Sequence, residues 1–169
     1  MQPLKNMNST PRFRTNGAIG ALLDEYEKSI SELILVIQDI SPNELIDIKD
    51  HKTKDEDCKS IQSILTHIVQ SGYTYAIEVR RWFGENVDYK DKVTLSHAND
   101  YIQALNEMFN YNETLFKDYS DVSVVEYDKN KKIVVRWGQQ YDIEQLFEHA
   151  IVHILRHRRQ IEILKTKSL

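Results

Sequence analysis

The sequence predicts an all-α protein, a four-helix bundle with a small β-hairpin between its third and fourth helices. Three observations predict it. The 169 residues include only five Gly and three Pro, too little punctuation for a many-turned β protein. Four stretches of roughly twenty residues repeat apolar side chains at three- and four-residue steps, the period of an amphipathic helix. The connections between them are polar and aperiodic, apart from one pair of short β-rich runs.

Taken in order, the first helix is expected over residues 18–40, with Ile19, Leu22, Leu23, Tyr26, Ile30, Leu33, Ile37 and Ile40 on one face, ended by a turn at Ser41-Pro42-Asn43. A polar surface loop follows over residues 47–59. Ser60 is placed to cap a second helix that carries Ile61, Ile64, Leu65, Ile68, Tyr75 and Val79 and stops at Gly84. A third helix over residues 97–117 bears Tyr101, Leu105, Met108, Phe109, Leu115 and Phe116. The runs VSVVEY and KIVVRW flank Asp128-Lys129-Asn130-Lys131, which predicts the hairpin with its turn at those four residues. Asp142 and Gln145 have the spacing of a capping box, and they open a last helix lined by Ile143, Phe147, Ala150, Ile154, His157, Ile161 and Leu164. Residues 1–16 read as a flexible polar tail, and residues 17–169 as a single domain.

Composition removes several classes of function. One Cys makes neither an internal disulfide nor a thiolate-only metal site, and it suits a reducing, cytoplasmic setting. The longest apolar run, Leu33-Ile34-Leu35-Val36-Ile37, is far short of the ~20 residues that cross a bilayer. The opening MQPLKNMNSTPRFRTN has no apolar core of a secretory signal. A net charge of −4 argues against a nucleic-acid partner. The one basic patch, Arg156, His157, Arg158, Arg159, Lys165 and Lys167, suits the negative end of a helix dipole.

Three of the six histidines, His149, His153 and His157, fall on the last helix four residues apart. At ~1.5 Å rise per residue, His149 and His157 are ~12 Å apart and cannot share an ion. Neighbours four apart can, so the pair is either 149/153 or 153/157. At ~100° per residue, His157 sits about 30° from the centre of the apolar stripe, His153 about 70° and His149 about 110°, so the 153/157 pair faces inward better. A transition-metal site needs a third protein ligand. The second helix offers His67, on a flank about 110° from its apolar centre, where a histidine is more often simply solvated. Three neutral imidazoles with open positions suit Zn, Ni or Fe. His51 and His97 lie in or beside polar loops, and His149 reads as a neighbour of the site or a surface group.

Motifs that are missing narrow the chemistry further. No Glu-x-x-His occurs, which excludes the usual di-iron bundle. The segment His153-Ile-Leu-Arg-His157 lacks the glutamate of a zincin protease, and no glycine-rich phosphate loop is present.

The segments SIQSILTHIVQ and YDIEQLFEHAIVHILRHRRQI resemble the DinB superfamily of small metal-binding four-helix bundles. Members carry one His on helix two and a His-x-x-x-His on the last helix, followed by a tail close to His-Arg-Gly-Gln-Ile. The resemblance implies a DinB-like bundle with His67, His153 and His157 as ligands of a divalent metal completed by water, and frequently a homodimer. Arg158, Gln160 and Ile161 match the tail, whereas Arg159 replaces the usual Gly. Some relatives transfer bacillithiol or a similar low-molecular-weight thiol, or isomerise maleylpyruvate with mycothiol.

The expected function is therefore a metal-dependent thiol transferase or hydrolase acting on a small molecule. The ion would make a nucleophile of thiol or water, or polarise the electrophile. Glu148 or Tyr75 would orient a neighbour, Arg156 or Arg158 would meet a carboxylate of a thiol cofactor, and Cys58 would have a lowered pKa at the start of the second helix. The alternative is a non-catalytic bundle, with or without metal, that acts as a dimeric stress or interaction protein.

Overall fold

The computed structural model describes residues 13–167. Four long helices and one short one carry the chain: α1 (Gly17–Ile37), α2 (Pro42–Ile46), α3 (Ile61–Trp82), α4 (Ala98–Asp118) and α5 (Ile143–Thr166). A two-stranded antiparallel hairpin, β1 (Ile133–Val134) and β2 (Gln140–Tyr141), lies between α4 and α5. α1 packs on α4 and α5, and α3 packs on the same two helices. Among the described residues, no helix is long and apolar enough to cross a membrane.

The helix starts follow from local chemistry. The Ser60 hydroxyl accepts from Ser63 N–H while Ser63 reaches back to the Ser60 backbone, and Asp142 and Gln145 do the same at α5. Each box satisfies amide donors that the first helical turn leaves without partners. Most of the expected tail, residues 1–12, lies outside the described residues. At its inner end Arg14 ion-pairs with Asp24, Glu27 and Glu113 at 2.7–2.8 Å, which ties α1 to α4.

Two expectations need correction. The first helix ends at Ile37 rather than Ile40, and Ser41-Pro42-Asn43 begins a further helical turn instead of a plain reversal. Ser41 accepts from Glu44 N–H and Pro42 occupies the first helical position, where its missing N–H is not needed. The turn buries Leu45 completely. The hairpin is also displaced by one turn. Asp128 accepts from Asn130 N–H and caps a 3-10 turn over Lys129–Lys131, so those residues curl locally instead of reversing two strands. The reversal falls at Gly138, whose φ of +88° suits glycine, and pairs Ile133 with Tyr141 and Val134 with Gln140.

The core is continuous across the four long helices. Tyr26 is fully buried and meets Phe109 and Phe147 edge-on at 5.8 and 6.3 Å, with Phe116 against Phe147 at 4.8 Å. At Gly72 a Cβ would stand 2.3 Å from the Met108 sulfur, so glycine leaves room on α3 for the Met108 side chain of α4. Asn112 Nδ2 donates to the Gly72 carbonyl at 3.0 Å and links α4 to α3.

Candidate metal centre

α3 and α5 face each other along a seam into which His67, His153 and His157 all point. His157 is 2% exposed and the other two are half-buried. His67 Nε2 stands 2.9 Å from His153 Nε2, and His157 Nε2 stands 3.2 Å from the same atom. The three ligand atoms lie within 4.8 Å of one another. Two nitrogens bound at ~2.1 Å to one ion are about 3.0 Å apart at a right angle and about 3.4 Å apart at a tetrahedral angle. These two separations fall at or near that range and the third lies within 4.8 Å, so the three nitrogens stand close enough to share one ion.

The other ring nitrogens decide which atoms carry lone pairs. His67 Nδ1 lies 3.1 Å from Asp57 Oδ2, and His157 Nδ1 lies 3.0 Å from Gln160 Oε1. A carboxylate and an amide oxygen only accept, so we assign the proton to Nδ1 in both rings. The Nε2 lone pairs of both rings therefore converge on His153 Nε2, whose single proton can satisfy only one of them. An acceptor cluster of this kind calls for a cation. Partners of this sort also orient the imidazole ligands of metal sites. Asp57 is held in turn by Lys92, and Gln160 Oε1 also accepts from the Cys58 thiol at 3.8 Å.

The electrostatics keep these rings neutral. Burial, reinforced by the neighbouring imidazoles, pushes the His153 pKa down to about 2. Burial lowers His67 as well, outweighing the opposing pull of Asp57, and lowers His157 against the opposing bond to Gln160. Neutral imidazole is the form that ligates metal.

Beside the cluster a cavity of about 620 Å³ opens to solvent, lined among others by His67, His153, Tyr75, His149, Trp137 and Arg136. No family model and no curated protein matches this chain. What can be said of the site therefore rests on its own geometry.

The structure brings together His67, His153 and His157 and leaves other candidates apart. His149 is exposed; its ring stacks 6.4 Å from His153 and its Nδ1 meets the Tyr141 hydroxyl at 3.4 Å, so it forms cavity wall. Tyr75 is buried within the same wall, and burial raises its pKa. Glu148 is exposed and borders surface depressions lined also by Gln145, not the cavity beside the cluster. Arg158 ion-pairs with Glu32 of α1, which draws it away from the cavity. Arg156 is exposed. His51 and His97 are exposed, the latter as the first cap of α4.

Cys58 corrects an expectation. Its thiol is buried in a 3-10 turn over Glu56–Cys58, and burial raises its pKa instead of lowering it. Sequence reasoning missed Asp57, and it named Gln160 only as part of the tail, without a role at the site. Gln160 had an available signal, since it follows His157 by three residues on one helix and so lies on the same face. Asp57 had none, because its position depends on how a thirteen-residue loop folds back on α3.

Proposed function

We propose that this chain is a DinB-like four-helix bundle that holds a divalent Zn, Ni or Fe ion on His67, His153 and His157. We propose further that it uses the ion as an enzyme on small electrophiles, as a low-molecular-weight-thiol transferase or a hydrolase. The observation that carries the reading is the convergence of three Nε2 atoms, two of them fixed as lone-pair donors by Asp57 and Gln160. A bound ion supplies Lewis acidity, which lowers the pKa of a thiol or water or polarises an electrophile. The protein's part is orientation. Asp57 and Gln160 hold protons on the outer nitrogens, and the cavity walls admit a substrate to one side of the cluster. A homodimer, as in the resembling family, belongs to the same proposal.

Metal analysis of protein purified without added metal or a histidine tag should find about one ion per chain, and His157→Ala should remove it. Intact protein free of metal would sink the proposal. Conjugation assays with bacillithiol, mycothiol and glutathione over a panel of electrophiles then test catalysis. A second reading has its own support: Asp57, Cys58 and Gln160 tie a loop, α3 and α5 to the cluster, so an ion there would brace the helices whether or not it catalyses. Metal with no turnover across the panel favours that brace.

A further inference from the structure

The cavity beside the cluster has two polar groups that the fold positions and leaves open to a ligand, the Tyr75 hydroxyl and the exposed Arg136 guanidinium. Tyr75 is only 3% exposed and its ring lies 5.9 Å from that of His153, yet its hydroxyl has no hydrogen-bond partner among the described residues. The hydroxyl is not sealed from solvent, and it borders a cavity large enough to bring it an acceptor.

The second group is Arg136. Glu78 of α3, itself 5% exposed, accepts from Arg136 N–H at 2.9 Å and from the Tyr89 hydroxyl at 2.9 Å through the same oxygen. That carboxylate pins both the hairpin and the connection after α3. The Arg136 guanidinium consequently lies over the Tyr89 ring, with its Cζ 4.3 Å from the centroid. Among the described residues it has neither a carboxylate partner nor a side-chain hydrogen bond. The neighbouring cation of the cavity, Lys92, is already taken by Asp57. Between Tyr75 and Arg136 the wall is aromatic: Trp137 and His149 stand 6.1 and 5.7 Å from Tyr75.

We propose that this cavity binds a small aryl carboxylate, with the carboxylate on the Arg136 guanidinium and a second oxygen accepting from the Tyr75 hydroxyl. The planar fork of arginine matches a carboxylate, and the rings match a flat, conjugated body. This names the substrate class of the proposed enzyme and rests on reading its cavity as the substrate site. Tyr75 and Arg136 act as binding and specificity residues, set by α3 and by the hairpin turn.

The test compares 4-hydroxybenzoate with its neutral partner 4-hydroxybenzamide, by calorimetric titration of the purified full chain, with metal content measured on each sample. The acid should bind about tenfold more tightly than the amide, Arg136→Gln should abolish that preference, and Tyr75→Phe should weaken both ligands by about threefold or more. Arg136→Gln and Tyr75→Phe should retain wild-type metal content and melting temperature. Absence of any preference, including failure of both compounds to bind, overturns the inference. So does a preference that survives Arg136→Gln and vanishes on chelation, because the anion then sits on the metal. Protein without metal that keeps an Arg136-dependent preference sinks the metal reading and leaves this one standing.

Discussion

Two seams run along α5 and differ in what they do for the molecule. On the side facing α1 and α4, Phe147 meets Tyr26 and Phe116, and these ring contacts remove apolar surface from water. On the side facing α3, His153 and His157 meet His67 through nitrogen atoms 2.9 and 3.2 Å apart, with more lone pairs than protons between them. The first seam stabilises the fold by itself. The second gives up hydration without full compensation from its own side chains, an arrangement that has physical sense where a cation completes it. One helix thus divides its faces between holding the structure and serving the site.

The contrast can be broken or sharpened by five measurements. Phe147→Ala should have the largest effect, lowering stability by about 3–5 kcal/mol in denaturant titration, since a fully buried ring is lost and the site can collapse only partly. A loss under about 1 kcal/mol would mean the aromatic seam is not the support described here. Next comes removal of metal: a chelator should destabilise the wild type by about 3 kcal/mol relative to protein with free ion at a hundredfold excess over Kd. An unchanged melting curve would speak against an ion in the seam. His157→Leu should erase that chelator response, while its metal-free stability stays within about 1 kcal/mol of metal-free wild type or above it, because an apolar side chain replaces a buried ring whose Nε2 lone pair competes with that of His67 for one proton.

Asp57→Asn is expected to weaken metal affinity by about 10- to 100-fold, measured by competition with a chromogenic chelator, with little change in the fold. Wild-type affinity in that variant would show that the bond to His67 does not orient the ring. Cys58→Ser should have the smallest effect, changing metal affinity by less than about threefold, because the thiol reaches the cluster only through Gln160. Loss of thiol transfer in Cys58→Ser with metal retained would instead give the buried thiol a direct part.

Much of this division is legible in the sequence, for reasons visible in particular residues. His153 and His157 are four apart on a helix whose capping box fixes its start, so their common face follows from spacing. His67 sits on a helix equally well announced by Ser60. Two parts escape such reasoning. Asp57 meets His67 because backbone bonds from Lys49 and Asp50 to the Lys59 carbonyl close the loop, a long-range event with no periodic trace. Arg136 and Trp137 reach the cavity because the hairpin reverses at Gly138, whereas the β-rich runs point to a reversal at residues 128–131. The hydrogen bond that Asn130 N–H donates to the Asp128 carboxylate outcompetes the strand pattern there.

The separation between His67 and His153 has a consequence for time as well as for energy. They are 86 residues apart in the chain, and the contact between them closes a very long loop that a lone Cys58 has no disulfide to close. Contacts of such range typically form late, after helices and local pairings are in place. An ion held across them would then act mainly after the folding barrier, leaving the rate of folding nearly untouched and slowing the reverse passage. The histidine seam would serve as a latch, extending the lifetime of the folded molecule.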